Sequence, residues 1–386
     1  MTSVLHRLRT GLEQLAGQHA VRRRRLLQSQ QGVRIQLDGQ HWLSFCSNDY
    51  LGLAAHPALI DAVTQGVAHM GVGAGASHLV GGHHVAHEAF EQAFATFVGL
   101  PSALMFSTGY MANLAVIGTL VGRTGAVFAD RLNHASLNDA ALLSRAKVYR
   151  YPHGDLKTLA RQMAQSPCKD KLVAVDAVFS MDGDVADLPA LLALCEQYDA
   201  WLLVDDAHGF GVMGVHGAGS LTHFQLQSSR IIYLATLGKA AGVFGAVVAG
   251  DVDVIAWLMQ KARTYIYTTA VPPVLASALV VSVQLIRQAD AARAHLFTLI
   301  HQLRVGLQQQ GWRLAESSTP IQPVWVGSNT DVLALSQRLE QHGLLVPAIR
   351  PPTVPPGSAR LRISLSAAHQ VADVRQLLTA MGTFHG

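Results

Sequence analysis

The middle of the chain alternates short apolar runs with segments of helical periodicity, and this alternation restricts the possible folds more than any other feature. Strands rich in Val, Ile and Leu that alternate with helices indicate crossover connections and a mainly parallel sheet buried on both faces. The predicted strands are residues 103–106, 126–129, 172–176, 201–205, 231–235 and 244–249. Residues 188–198 form a typical intervening helix, with Pro189 in its first turn. Because ligands of such sheets bind beyond the carboxyl ends of the strands, the loops that follow the strands are candidate sites.

The two flanks of the chain have a different pattern. Residues 1–30 are predicted to form one helix, and a hairpin with an Asp38-Gly39 turn follows over residues 33–45. Towards the C-terminus, the predicted helices are residues 291–310, 331–342 and 371–381, and the predicted strands include 322–326 and 360–365. We therefore predict three parts: an N-terminal helix and hairpin segment over residues 1–50, a large domain over 51–285, and a small α+β domain over 286–386.

Composition excludes several classes of protein. Half of the 386 residues are hydrophobic, and the net charge is only +4, from 29 basic and 25 acidic side chains. These values exclude a disordered chain, and one short basic run at residues 22–25 does not predict a nucleic-acid partner. The three cysteines are far apart, and no signal-peptide pattern opens the sequence. The longest apolar stretch, residues 271–286, is shorter than the roughly 18 residues of a membrane span. We therefore expect a cytoplasmic protein with no membrane partner.

Two acidic residues end one of the predicted strands. Asp205 and Asp206 follow the apolar run that begins at Trp201, and His208 comes shortly after them. Three interpretations remain open at this point: a helix cap or solvated turn, a metal site, and an anchor for the cationic part of a cofactor.

A GxGxxG motif at residues 209–214 follows the same strand and has to be tested as a dinucleotide site. Such a site needs an acidic residue roughly 20 positions later to bind the ribose hydroxyls. The sequence contains no Asp or Glu between Asp206 and Asp251. The dinucleotide interpretation therefore fails.

Lys239 is the only lysine between residues 172 and 260, and it lies in a loop between two apolar strands. A lysine at a strand end is often a side chain that extends to solvent. In apolar surroundings, however, its pKa falls and the amine becomes a nucleophile towards carbonyl compounds. Thr236 and the strand that ends at Asp205 favour the second interpretation. A Schiff-base lysine together with an aspartate on a pyridinium nitrogen is the arrangement that binds pyridoxal 5'-phosphate (PLP).

Three further strand-end loops carry groups that suit PLP. Residues 107–113 follow a strand and open a helix, whose exposed amides would bind a phosphate. His134 follows the next strand and could stack on the cofactor ring, and Ser180 follows a third with a hydroxyl within reach. Each loop alone is weak evidence. Four strand-end loops with compatible groups together predict a PLP site.

These motifs together resemble those of the α-oxoamine synthases, a branch of the aspartate-aminotransferase-like (fold type I) PLP enzymes. The matching motifs are SNDYLG at residues 47–52, DRLNHAS at 130–136, FSMDGD at 179–184, DDAHG at 205–209 and TLGK at 236–239. The resemblance covers nearly the whole chain and implies an α/β fold of that type. Residues 348–355, together with Arg22, resemble most closely the members that use a pimeloyl thioester.

The resemblance implies a decarboxylative condensation in biotin biosynthesis. L-Alanine and a pimeloyl thioester, carried by coenzyme A or by an acyl carrier protein, would give 8-amino-7-oxononanoate, carbon dioxide and the free thiol carrier. The alternative is a related enzyme of the same branch that uses glycine with another acyl-CoA. Both are acyltransferase reactions on small-molecule substrates.

The resemblance also implies the roles of individual residues. Lys239, His134 and Asp205 would be catalytic. The cofactor-binding residues would be Gly109, Tyr110, His134, Ser180, Asp205, His208, Thr236 and Lys239. Substrate would contact Arg22, Asn48, His134, Thr353 and Arg362, and no metal is expected. The family's sites lie at a homodimer interface, so Thr268 or Thr269 would reach the phosphate bound by the opposite subunit.

Overall fold

The computed structural model describes residues 3–17, 21–22, 24–351 and 353–383, and it contains a central sheet with helices on both faces. The strands are β1 (Arg34–Leu37), β2 (Gln40–Ser44), β3 (Ser102–Phe106), β4 (Ala126–Asp130), β5 (Lys147–Tyr151), β6 (Lys171–Asp176), β7 (Ala200–Asp205), β8 (Ile231–Thr236), β9 (Ala246–Gly250), β10 (Ile321–Gly327), β11 (Leu344–Leu345), β12 (Ala348–Ile349) and β13 (Ala359–Ser364). The helices are α1 (Val4–Gly17), α2 (Pro57–Met70), α3 (Val85–Val98), α4 (Gly109–Leu120), α5 (Ala135–Leu143), α6 (Leu156–Gln165), α7 (Leu188–Gln197), α8 (Ser220–His223), α9 (Val252–Lys261), α10 (Arg263–Ile266), α11 (Pro273–Gln288), α12 (Asp290–Gln309), α13 (Asn329–Gln341) and α14 (Val371–Met381).

The central sheet has seven strands in the order β3-β9-β8-β7-β6-β4-β5. The strands from β8 to β5 pair in parallel, whereas β9 is antiparallel to both of its neighbours. Alternate residues of β7 enter two different apolar clusters: Val204 packs on one face of the sheet and Leu203 on the other. A sheet covered on both faces needs apolar residues at nearly every strand position, which is the pattern of the sequence. The predicted mainly parallel α/β sheet is confirmed.

The N-terminal prediction was right for the hairpin and for the presence of a helix, but wrong for the length of that helix. Asp38 and Gly39 both have positive φ, 50° and 79°, as a two-residue hairpin turn between β1 and β2 requires. The predicted helix over residues 1–30 ends at Gly17, and residues 21–22 and 24–30 are not helical. Leu27 instead forms a bridge to Leu37, because extended backbone there can pair with the hairpin. Residues 1–2, 18–20 and 23 of that prediction lie outside the described residues.

One strand begins later than predicted. Residues 244–249 were predicted to be extended, but β9 begins at Ala246. Gly245 has φ of 105°, a conformation that glycine adopts without strain and that interrupts the strand. Phe244 is 45% exposed in the preceding loop. This loop belongs to the cavity described below.

The C-terminal part of the chain forms a second, antiparallel sheet in the order β10-β13-β12. The strand β11 pairs in parallel with β2, so the N-terminal hairpin and the C-terminal part share a third small sheet. The limits predicted for the three parts of the chain stay a prediction. Among the described residues, no single helix is both long and apolar enough to cross a membrane; α11 and α12 reach that length and composition only as a pair bent by 65°.

Candidate active site

A cavity of about 780 Å³ opens where the carboxyl ends of the central strands meet the N-terminal segment. Two loops form one wall: the loop that links β3 to α4 and the loop that links β8 to β9. Because β9 is antiparallel to β8, its first residue lies at the same edge of the sheet as the last residue of β8. The lining residues include Arg25, Leu27, Ser47, Asn48, Ser107, Thr108, Gly109, Thr236, Gly238, Lys239, Gly242, Phe244 and Gly245. The cavity therefore lies where the sequence predicts ligand binding.

Lys239 points its amine at His208. The Nζ atom of Lys239 lies 2.9 Å from Nε2 of His208, and the imidazole is buried. Burial lowers the pKa of Lys239 to about 8, although Asp205 and Asp176 act in the opposite direction. Burial, and then the charge of Lys239, hold the pKa of His208 well below its ordinary value. Lys239 therefore loses its proton more readily than an ordinary lysine, which suits a nucleophile for a carbonyl group.

Asp205 is held by neutral groups at the end of β7. One carboxylate oxygen accepts a hydrogen bond of 2.8 Å from Nδ2 of Asn113 in α4, and the other accepts one of 3.1 Å from the amide of Ala207. Neither partner carries a positive charge. The carboxylate is thus fixed in direction but not neutralised, which leaves it available to a cation such as a protonated pyridine nitrogen.

The same asparagine connects Asp205 to His134. Nδ2 of Asn113 also donates to Oγ of Ser136 at 2.9 Å, and this hydroxyl lies 2.8 Å from Nδ1 of His134. The amide of His134 donates to Asp176 at 2.6 Å, and Asp176 faces Asp205 in the register of β6 and β7. Burial and the charge of Asp205 raise the pKa of Asp176 well above its ordinary value. The exposed ring of His134 is therefore anchored to the sheet edge from two directions.

The start of α4 provides the place for a phosphate. Thr108 caps the helix by accepting a hydrogen bond from the amide of Met111, and Gly109 is the first helical residue. A Cβ atom on Gly109 would come within 2.7 Å of the methyl group of Thr236, so this wall requires glycine. A helix N-terminus, a glycine wall, a free amine and an unneutralised carboxylate are the groups that PLP needs. The residues present fit this cofactor.

Arg362 brings two other predicted residues together. Its Nε donates to the carbonyl of Ser180 at 2.6 Å, and its two terminal nitrogens lie 3.3 and 3.2 Å from Oδ1 of Asn48. The side chain of Arg362 is buried although it carries a full charge. A buried guanidinium with only neutral partners, one of which is the cavity residue Asn48, is a candidate binding group for a carboxylate.

Other predicted residues are not part of this arrangement in the single chain. Tyr110 follows Gly109, but its side chain is 41% exposed and its hydroxyl bonds to Asp139. Of the predicted residues, Asn48, Gly109, Thr236 and Lys239 line the cavity, whereas His134, Ser180, Asp205, His208 and Arg362 are not among its lining residues. Four more are also absent from the lining as far as the chain is described: Arg22, Thr269 and Thr353, which are exposed, and Thr268, which is half-buried. Their predicted roles stay predictions.

Two residues of the site were not predicted. Asn113 and Tyr50 lie inside motifs that the sequence brought to attention, but neither was assigned a role. Asn113 is fully buried, and a polar side chain among the apolar residues of α4 was the available signal. Tyr50 is also fully buried, and its hydroxyl lies 2.7 Å from Nδ1 of His208. Nothing in its sequence spacing predicted this contact.

A group of histidines lies elsewhere, near the start of α3. Ligand atoms of His78, His83 and His87 lie within 4.8 Å of one another. His87, however, already accepts from the amide of His84 at 2.8 Å and donates to the carbonyl of Val271 at 2.7 Å. Both of its nitrogens are used to hold the helix start, so a metal would have to break one of these bonds. The group is best explained as a structural contact.

Comparisons with known proteins agree with this site. The family model "Aminotransferase class I and II" matches residues 40–381. An 8-amino-7-oxononanoate synthase of Methylobacillus flagellatus is 59% identical over 377 residues, which covers 98% of this chain and 95% of that protein. The serine palmitoyltransferase (SPT) of Sphingomonas wittichii superposes with a TM-score of 0.92 at 29% identity, covering 98% of this chain and 97% of that one. Another SPT structure, described as containing PLP as an internal aldimine, gives 0.93 at 28% identity and covers 98% of each chain.

The two proteins and the structure that we compare match almost the full length of this chain and of their own chains. The similarity therefore includes the whole fold and is not limited to one motif. The PLP-containing relative is similar enough in sequence, at 28% identity, to support the cofactor as well as the fold. The predicted branch of PLP enzymes is confirmed. The chain belongs to the class I and II aminotransferase family and, within it, to the 8-amino-7-oxononanoate synthases.

Proposed function

We propose that this chain is a PLP-dependent acyltransferase that condenses L-alanine with a pimeloyl thioester. The observation that carries the proposal is the Lys239 amine, 2.9 Å from His208 and at the same sheet edge as the unneutralised Asp205. The relatives at 56–59% identity, all named 8-amino-7-oxononanoate synthase, support this substrate pair. The bound cofactor supplies an electron sink for negative charge at the α-carbon of the amino acid.

The overall reaction is balanced by one leaving group at each substrate. The α-carbon of alanine loses its proton and forms a carbon–carbon bond to the acyl carbon, and the thiol carrier leaves and takes up a proton. The carboxylate of alanine leaves as carbon dioxide, and a proton takes its place. The products are 8-amino-7-oxononanoate, carbon dioxide and the free carrier.

Side chains of the protein provide the other functions that the reaction requires. Lys239 binds the cofactor and moves the proton at the α-carbon, which its lowered pKa allows near pH 8. Asp205 would keep the ring nitrogen of a bound cofactor protonated, because a carboxylate held by Asn113 and Ala207 stabilises a cation beside it. His208 orients the Lys239 amine, and His134 would cover the ring of the bound cofactor.

Substrate and phosphate binding are assigned to other residues in and next to the cavity. Arg362 and Asn48 bind a substrate carboxylate, and the apolar side chains of Leu27 and Phe244 exclude water from the acyl chain. Thr236, Gly109 and the start of α4 hold the phosphate, and Ser180 lies beside Arg362. We also propose that a second copy of the chain completes the site, which gives Arg22, Thr353 and either Thr268 or Thr269 their roles.

The decisive experiment incubates the purified enzyme and PLP with L-alanine and either pimeloyl-CoA or the pimeloyl-acyl carrier protein. Mass spectrometry should detect 8-amino-7-oxononanoate with at least one carrier, and the comparison of carriers identifies the acyl donor. A parallel panel replaces alanine with glycine or serine and the pimeloyl group with other acyl groups. A preference for glycine with a short acyl-CoA would overturn the proposed substrates while leaving the cofactor chemistry intact.

A further inference from the structure

His153 connects two turns that carry predicted site residues. We call residues 130–134, after β4, the first turn and residues 179–184, after β6, the second turn. Nδ1 of His153 lies 3.1 and 3.2 Å from the two carboxylate oxygens of Asp130, at the start of the first turn. Nε2 lies 2.7 Å from Oδ2 of Asp184, at the end of the second turn. The ring of His153 therefore bridges the two turns with both of its nitrogens.

The positions of the two carboxylates require a charged ring. An ionised carboxylate only accepts hydrogen bonds, and a neutral imidazole has a single N–H group to donate. If the ring were neutral, one of the two carboxylates would face the lone pair of a nitrogen. The hydrogen bonds to Asp130 and then to Asp184 raise the pKa of His153 to about 10. The ring is therefore an imidazolium at neutral pH.

The carboxylate of Asp130 organises the first turn. It accepts hydrogen bonds from the amide of Leu132 at 2.8 Å and from the amide of Gly154 at 3.0 Å. The backbone carbonyl of Asp130 also accepts a hydrogen bond of 3.2 Å from the amide of Asn133. His134 follows directly and caps α5. A displacement of Asp130 would therefore move His134.

Asp184 closes the second turn. Its carbonyl accepts a hydrogen bond of 3.0 Å from the amide of Phe179, and the carbonyl of Phe179 accepts one of 2.7 Å from the amide of Gly183. Inside this turn, the carbonyl of Ser180 accepts the hydrogen bond from Nε of Arg362. Oδ1 of Asp184 is buried without a hydrogen-bond partner among the described residues. The charge of Asp184 is therefore compensated through its other oxygen, which faces His153.

We propose that His153 is a positioning residue whose imidazolium clamps the first turn to the second turn. The clamp sets the position of His134, which ends the first turn, relative to Arg362, which the second turn holds. His153 is not among the lining residues of the cavity, so it acts through these two residues and not on the substrate. This inference rests on the roles proposed above for His134 and Arg362.

The other charged groups near the clamp have partners of their own. Asp182, in the second turn, pairs with Arg360 of β13. The guanidinium of Arg150, in β5, donates to a backbone carbonyl of the first turn. The phenol of Tyr151 is kept neutral because burial raises its pKa. All of these groups remain when His153 is replaced, so the change reports the imidazole ring.

The test compares His153→Ala with the wild type as full-length enzymes that contain PLP. We expect kcat/KM to fall by about 10- to 100-fold, because a misplacement of about 1 Å can cost about 100-fold. Both kcat and the KM of the substrate whose carboxylate Arg362 binds should change. A variant that is only less stable would contain less active enzyme, and its KM values would equal those of the wild type. Unchanged KM values for both substrates would therefore overturn the inference.

Two small heterocycles separate the charge of the ring from its shape. The side chain of His153 is 33% exposed, so 4-methylimidazole can enter the space that His153→Ala leaves. At about pH 6.5 this compound, which ionises as a histidine side chain does, supplies a cation and should raise kcat/KM of the variant by about threefold or more. The compound 4-methylpyrazole has the same shape but stays neutral, and it should have no effect. Equal effects of the two compounds, including no effect of either, would contradict the clamp.

His216→Ala is the matched control. The imidazole of His216 also pairs with an aspartate, since its Nδ1 lies 2.8 Å from Asp290, but it has this one carboxylate partner and lies outside the cavity. Its kcat and KM values should equal those of the wild type. Equal losses in His216→Ala and His153→Ala would show that the effect is not specific to the clamp.

A second variant covers the case in which His153→Ala does not fold. Asp184→Asn keeps the ring and its contact with Asp130, and removes the charge at the second turn. Its kcat/KM should fall by about three- to tenfold, since a hydrogen bond to a neutral acceptor is weaker than one to a carboxylate. A variant that equals the wild type would overturn the inference.

Hydrogen–deuterium exchange of the chain without PLP tests the clamp separately from the reaction. In His153→Ala, or in Asp184→Asn, peptides that cover residues 130–134 and 179–184 should exchange faster than in the wild type. Peptides around His216 should exchange at the same rate. Unchanged exchange in both turns would reject this inference alone. A wild type that makes no product would reject the proposed function instead, whatever the exchange shows.

Discussion

Asp205 and Asp206 are neighbours in sequence, yet their side chains lie on opposite faces of the central sheet. Asp205 contacts Asn113 of α4, and we call Asp205, Asn113, Ser136 and His134 the Asp205 cluster. Asp206 accepts hydrogen bonds of 2.7 Å from both the amide of Ser220 and the hydroxyl of Tyr233, and these three form the Asp206 cluster. The first cluster ends at an exposed histidine, whereas the second is closed.

Two glycines next to the Asp206 cluster show that it has no space for a ligand. A Cβ on Gly219 would lie 2.1 Å from the Tyr233 hydroxyl, and one on Gly209 would lie 2.1 Å from Oδ1 of Asp206. Burial raises the pKa of Asp206 to about 7, so the acid is partly protonated near neutrality. A buried acid without a cation thus stabilises the fold as a neutral group, while the same residue type, held only by neutral hydrogen-bond donors next to an exposed histidine, stays available to a cationic ligand.

The largest expected effect lies at the amine that faces the Asp205 cluster. Lys239→Ala removes the group that binds PLP, so the visible absorption of the purified enzyme should disappear and product formation should fall more than about 10³-fold. Lys261→Ala is the control, because that lysine is exposed on α9 and lies over the ring of Trp257. Absorption spectra and product mass spectrometry check both variants. Full turnover by Lys239→Ala would disprove the assignment of the site.

The next effect separates the two aspartates directly. Asp205→Asn removes the charge that keeps the ring nitrogen protonated, and kcat should fall by about 10²- to 10³-fold. Asp206→Asn keeps a polar side chain in the closed cluster, and kcat should stay within about threefold. Steady-state kinetics at saturating alanine measure both values. Equal losses in the two variants would contradict the division into an open and a closed cluster.

We expect the ionisation of Asp206 to make the free energy of unfolding depend on pH. The folded pKa of Asp206, about 7, is above the ordinary value of 3.8, so its contribution is fully present below pH 4 and is lost as pH rises towards 7. The wild type should therefore lose about 1 kcal/mol per pH unit relative to Asp206→Asn between pH 4.5 and 6.5. Urea unfolding across that range measures the difference. Parallel stability curves for the two proteins would show that Asp206 ionises normally.

The smallest effect is expected at the asparagine that holds Asp205. Asn113→Ala leaves the carboxylate charge in place but removes its orientation, and one lost hydrogen bond to a charged group should lower kcat about tenfold. Asn329→Ala, at an exposed position that starts α13, should behave as the wild type. Measuring kcat and the KM for alanine separates orientation from substrate binding. A loss confined to KM would place Asn113 in substrate binding instead.

Much of the fold could be predicted because its signal is local. The apolar runs gave six strands of the central sheet, and the Asp38-Gly39 turn gave the hairpin. The errors occurred where a distant partner decided the structure. Residues 24–30 have no helix because Leu27 pairs with Leu37, and β9 starts late because Gly245 turns the chain into the cavity wall. Backbone pairing with a remote segment leaves little trace in the pattern of a short stretch.

By itself, the sequence determined the family, the α/β sheet and the choice of Lys239, because a lone lysine in an apolar loop and strand-end motifs are local facts. The tertiary structure decided which neighbours act together. Tyr50 meets His208 across 158 positions of sequence, and Asn113 meets Asp205 across 92. The tertiary structure also gave Asp205 and Asp206 different surroundings. Consecutive side chains along a strand direction point to opposite faces of the sheet, and only packing determines which face is open. Hydrogen bonds between distant loops depend on the folded sheet edge, and no spacing in the chain encodes them.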